Sequence, residues 1–104
     1  MGTQKETRFK RRVLKKLRER GAWVEKIQQR AIRGTPDLLG CWAGRFFALE
    51  LKASESEKAD PLQKHKLEEI REAGGLADTV HPKNLEEVID RWQELLGDTP
   101  PKSS

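Results

Sequence analysis

Gly34-Thr35-Pro36-Asp37-Leu38-Leu39-Gly40-Cys41-Trp42-Ala43-Gly44-Arg45-Phe46-Phe47-Ala48-Leu49-Glu50-Leu51-Lys52 is the stretch on which the reading of this chain turns. Two apolar, aromatic-rich runs, 37–42 and 45–52, are separated only by Ala43-Gly44, which is the spacing of a β-hairpin with a two-residue turn. Alanine is a poor first residue for the favoured turn types. With Trp42 opposite Arg45, Asp37 falls opposite Glu50, and directly opposed Cβ atoms lie about 4.5–5.5 Å apart. Lys52 stands two residues beyond Glu50 and so projects from the same face. Two carboxylates and an ammonium then converge on one point. Such a trio can hold a divalent cation against a phosphodiester and position water to attack it. A slip of one residue would turn Asp37 to the other face and dissolve the arrangement.

Outward from the hairpin the chain divides into short, well-punctuated elements. From about Thr3 to Arg20, Phe9, Val13, Leu14 and Leu17 form an apolar stripe among Lys and Arg, and Gly21 stops the helix. Ala22 to Gln28 reads as an edge-like strand, because Glu25 and Lys26 interrupt it, and 30–36 as a loop. In the hairpin, Asp37, Leu39, Cys41, Phe46, Ala48 and Glu50 share one face; Leu38, Trp42, Phe47, Leu49 and Leu51 share the other. Both faces are largely apolar, which predicts central strands covered on both sides, with Cys41 as a packed thiol. The polar stretch 53–59 precedes a second helix. Asp60 is its N-cap, Pro61 its first residue, and Gln63 stands in the capping-box place. It ends at Gly74-Gly75. Leu76 to Val80 forms a strand. Asn84 and Glu87 open a third helix with Leu85, Val88, Ile89, Trp92, Leu95 and Leu96 at helical spacing. The order is αβββαβα, an α/β fold with a mixed sheet flanked by helices. Residues 1–97 are expected to form one domain and 98–104 a flexible tail.

Composition narrows the partner. The chain has 104 residues and a net charge of +4, but residues 1–33 carry +9 and the remainder −5. Such an asymmetry is the electrostatic footprint of a polyanion binder. A single cysteine forms no internal disulfide and suits a reducing, intracellular setting. No apolar run approaches the ~18 residues of a membrane span, and no signal-peptide pattern opens the chain. We therefore expect a cytoplasmic, DNA-associated protein with no membrane partner.

The order of elements, Gly-x-Pro-Asp entering the second strand, Glu-x-Lys on the third and Gln in the following helix together resemble the PD-(D/E)xK nuclease superfamily. More narrowly, Gly34–Gly40, Phe46–Lys52, Leu62-Gln63 and Ala73-Gly74-Gly75 look like the virus-type replication-repair nuclease (VRR-NUC) domain, over about residues 5 to 96. The resemblance implies a restriction-endonuclease-like core. It implies a metal-dependent, structure-selective DNA endonuclease, four-way-junction resolvases among its relatives, and often a homodimer. Branched DNA is the substrate class it suggests, and DNA repair or recombination the setting. Where the family carries a Val-Arg-Arg-like stretch, this chain reads Val80-His81-Pro82-Lys83.

Asp37 and Glu50 are the expected ligands of Mg²⁺ or Mn²⁺, which prefer oxygen donors, with the backbone carbonyl of Leu51 beside them. Lys52 would orient water or stabilise charge growing on the phosphate; its alternative is a salt bridge to either acid. Gln63, on the inward face with Leu67 and Ile70, would steady the lysine, a water or a phosphate, or else close a capping box with Asp60. Glu6 lies on the Phe9–Val13 side of the first helix and would serve the site; Thr3 and Glu6 also match a capping box. Arg8, Arg11, Arg12, Lys15, Arg30 and Arg33 would grip phosphates. His65 and His81 read as surface residues, and Trp42 as core. The rival to an enzyme is a non-catalytic nucleic-acid-binding module; a protein-interaction domain is a weaker third reading.

Overall fold

Alternating side chains in the hairpin build the centre of a four-stranded sheet. The computed structural model describes residues 4–27, 34–58 and 60–97. Its elements are α1 (Gln4–Glu19), β1 (Trp23–Lys26), β2 (Leu38–Trp42), β3 (Arg45–Leu51), α2 (Pro61–Glu72), β4 (Leu76–Val80) and α3 (Leu85–Leu96). Thr3, Arg30, Arg33 and the tail 98–104 lie outside the described residues.

The sheet order is β1-β2-β3-β4. β1–β2 and β2–β3 are antiparallel, whereas β3–β4 is parallel, with α2 as the crossover. Trp42 pairs with Arg45 and Leu38 with Leu49, the register the two-residue turn implies. The turn holds Ala43 at φ 54° and Gly44 at φ 80°; positive φ at both positions matches the twist of the flanking strands. β1 is an edge strand, as its charged residues suggest.

Each face of the sheet has its own cover. Leu38, Phe47 and Leu49 meet Phe9, Val13 and Leu17 of α1 and Leu85, Val88, Ile89 and Trp92 of α3 in the main core. Phe47 and Trp92 stack at 5.3 Å with a tilt of 53°. Gly40 makes that packing possible, because a Cβ there would meet the Trp23 carbonyl and the Phe47 ring. On the opposite face Ala48 and Ala77 form a smaller core with Leu67 of α2, flanked by Leu39 and Ile70.

Cys41 departs from expectation: it is exposed rather than packed. Its face is covered only where Leu67 and Ile70 of α2 reach. At the turn end Cys41 stands beside Trp23 and Phe46, which are 66% and 46% exposed. The start of α3 also differs. Asn84 makes no side-chain bond to the helix; its Oδ1 accepts from His81 N at 2.7 Å and its Nδ2 donates to Thr79 O at 3.2 Å. It ties β4 to α3 instead. Asp60 behaves as a cap, accepting from Leu62 N at 2.9 Å.

Candidate metal and nucleic-acid site

Three elements bring the site together at one end of the sheet. Asp37 lies just before β2. Its carbonyl accepts from Ile27 N at 2.8 Å, prolonging the β1–β2 ladder, and its Oδ2 accepts from Leu51 N at 2.8 Å. The second bond closes the open end of the hairpin and holds the Asp37 carboxylate beside the end of β3. Gly34 sets the approach: at φ 83° it packs so close to Leu62 and Lys66 of α2 that a Cβ would crowd both.

Glu50 ends the alternation of β3 and is only 4% exposed. Burial, and next the neighbouring Asp37 carboxylate, push its carboxyl up to about 7, against the opposing pull of Lys52. Its Oε1 is buried with no hydrogen-bond partner among the described residues. Lys52, 9% exposed, is held by its own backbone, whose N–H donates to Val80 O at 2.8 Å. Its Nζ donates to Gln63 Oε1 at 3.2 Å and lies 3.7 Å from Glu50 Oε2 and from Glu57 Oε2. Gln63 is thus engaged by the lysine, one of the roles its inward position allowed.

These groups floor a cleft of about 570 Å³, walled by α1 and by the loop that follows Lys52. Asp37, Glu50, Leu51, Lys52 and Gln63 all line it. Glu6 borders it as well, although it is exposed rather than on the buried side of α1. Lys5 and Lys10 line the same wall, and sequence reasoning passed them over. A signal existed: Lys10 lies one helical turn after Glu6 and shares its face. Glu57, also in the cleft wall, left no such signal, since irregular loops carry no periodicity.

The cations assigned to phosphates do not all face the cleft. Arg8, Arg11, Arg12 and Lys15 are exposed on α1. Arg12 and Lys16 are drawn to Glu86 of α3, at 3.8 and 2.5 Å. His65 is exposed beside Glu69, His81 Nδ1 accepts from Lys83 N at 3.2 Å, and Trp42 is buried in the core.

The donor set fits a hard divalent cation. Two carboxylates meet at the cleft floor, and Glu50 Oε1 is buried with no hydrogen-bond partner among the described residues, which folded proteins rarely tolerate. A site that raises the proton affinity of a carboxyl favours any cation that relieves the same repulsion. Mg²⁺ is commonly held through one or two carboxylates plus water, so the pair suffices. Asp37, Glu50 and the Leu51 carbonyl are the groups that would hold it.

The fold is an α/β domain with a mixed four-stranded sheet, and its cleft gathers two carboxylates and a lysine. No family model matches the chain, nor does any curated protein. A solved structure described as a VRR_NUC domain matches it with a TM-score of 0.73 at 26% identity, covering 88% of this chain and 100% of that one. The chain shares the fold of that VRR_NUC domain, a nuclease-type fold. No helix among the described residues is long and apolar enough to cross a membrane.

Proposed function

We propose that this protein is a divalent-metal-dependent endonuclease that hydrolyses DNA phosphodiesters. The observation that carries the reading is Glu50: a buried carboxylate with one unbonded oxygen, set beside Asp37 and Lys52 on the floor of an open cleft. Bound Mg²⁺ or Mn²⁺ would supply Lewis-acid polarisation of the phosphate and lower the pKa of coordinated water. Asp37 and Glu50 supply the negative charge that holds the cation. Lys52, steadied by Gln63, would meet the attacking water or a phosphate oxygen with its ammonium. Water adds to phosphorus as the bond to the leaving oxygen breaks; the proton lost by water passes to solvent, and the leaving oxygen takes a proton from solvent to depart as an alcohol.

Lys5 and Lys10 bring a phosphate backbone to the cleft, with Arg8, Arg11, Arg12 and Lys15 extending the field along α1. Arg30 and Arg33, outside the described residues, are proposed for the same task, and Glu6 for the mouth of the site. Branched DNA cut by a homodimer is the finer form of the proposal. Its support is the exposed row of Trp23, Cys41 and Phe46, an apolar surface suited to a second copy.

The test incubates the protein and its Lys52→Ala and Glu50→Gln variants with labelled duplex, flap and four-way-junction DNA, with and without Mn²⁺. Cleavage should require the metal and fall at least ~10²-fold in either variant, the scale of losing one preorganised electrostatic group. Equal cutting by Lys52→Ala would remove the lysine from the mechanism. Salt-sensitive binding with no cutting by the unaltered protein would instead identify a binding module.

A further inference from the structure

Among the described residues, Lys52 Nζ has one hydrogen-bond acceptor, Gln63, and two carboxylates at ion-pair distance, Glu50 and Glu57, and the three are not equivalent. Glu50 sits on β3 and Gln63 on α2, both held by rigid elements. Glu57 belongs to the irregular loop that follows Lys52, and its side chain is 46% exposed. It is nonetheless not free to wander. Its Oε1 accepts from Ala53 N at 2.9 Å, while its own N–H donates to Ser54 O at 3.3 Å. Ser54 and Ser56 hydroxyls meet at 2.9 Å, and Lys83 reaches Glu55 at 3.4 Å from the turn after β4. The loop is folded so that the Glu57 carboxylate lies 3.7 Å from Lys52 and lines the same cleft, its side chain about half exposed.

A phosphate oxygen entering that cleft reaches the ammonium past the same carboxylate. We infer that Glu57 is a resident counter-ion of Lys52, occupying the lysine in the substrate-free protein until a backbone phosphate displaces it. The inference rests on the nuclease reading above. Metal ligation by Glu57 is not the better account, because no group of three acidic, His or Cys side chains suited to an ion occurs among the described residues. A counter-ion is physically required: the lysine is nearly buried, and a cation taken up by Asp37 and Glu50 would leave Glu50 less able to neutralise it. Glu57 and a phosphate carry the same sign and compete for one partner. A half-exposed pair is weak, so the competition is a brake of small factor and not a block. Glu57 is thus a positioning residue that sets how tightly the cleft takes hold of a phosphate.

Binding of a labelled DNA flap, followed by fluorescence anisotropy in EDTA, tests this without turnover. Glu57→Gln should bind roughly threefold more tightly than the unaltered protein, the scale of one half-exposed ion pair. Glu72→Gln, at the far end of α2, removes one negative charge away from the cleft and sets the background. In a Lys52→Ala background the gain from Glu57→Gln should vanish, since the two residues act as a coupled pair. With Mn²⁺ the same substitution should raise kcat/KM by a similar factor through KM. A gain no larger than that of Glu72→Gln, a gain that persists without Lys52, or a fall in kcat at constant KM would each overturn the inference. If Glu57→Gln tightens binding as stated but no form of the protein cuts DNA, the nuclease reading fails and the counter-ion role stands.

Discussion

Glu50 shows how much chemistry one register position carries. It is buried because it continues the inward alternation of Ala48, and it is costly there because Asp37 repeats its charge. Its folded-state carboxyl titrates near 7 instead of 4.5. Between those values the folded chain holds a proton that the unfolded chain has released, so stability falls as pH rises through the window. The contribution is fully present below the unfolded value and is lost above the folded one. Urea unfolding at several pH values should show the decline in the metal-free protein, and Glu50→Gln should flatten the corresponding part of the curve. At pH 8, Mn²⁺ should raise the melting temperature of the unaltered protein but not of Glu50→Gln, because only a site that binds the ion in the folded state gains from it. An equal rise in both would detach the ion from Glu50. Lys52 makes the complementary point: its place beside Glu50 was legible from spacing alone, whereas its contact with Glu57 was not.

At the scale of elements, α1 serves two surfaces. Phe9, Val13 and Leu17 are buried against the sheet, and the turn-by-turn neighbours Lys5, Glu6 and Lys10 line the cleft. Helical periodicity therefore predicted the core side, but the charged side looked uniform in sequence. Packing sorts it: Arg12 and Lys16 are spent on Glu86, Arg18 on Glu25 and Arg20 on Asp90. The cations in the cleft wall should matter most for a polyanion. Replacing Lys5 and Lys10 by Ala should lower the slope of log K against log salt by about two, the count of phosphate contacts removed. Arg12→Ala should change it less. A titration in which all these variants share one slope would argue that α1 attracts DNA only through its general field. The second helix was the easiest to read, because Asp60-Pro61 and Gly74-Gly75 are local signals that act whatever the surroundings.

At the scale of the whole molecule, one sheet face is left partly bare. α2 crosses over Ala48 and Ala77 and leaves Trp23, Cys41 and Phe46 in solvent at the hairpin turn. If two copies meet there, light scattering should give twice the 11.9 kDa of one chain, and Trp23→Ser with Phe46→Ser should return the single mass. A single mass in the unaltered protein would remove the dimer from the proposal. What sequence alone determined was the register of the hairpin, the order of strands and helices along the chain, and with them the convergence of Asp37, Glu50 and Lys52. Those depend on alternation, a two-residue turn and local stop signals, all of which act over a few neighbouring residues. What tertiary structure decided was the exposure of Cys41, the entry of Lys5 and Lys10 into the cleft and the reach of Glu57. Each depends on where a distant segment happens to end, and a pattern confined to neighbouring residues carries no record of that distance.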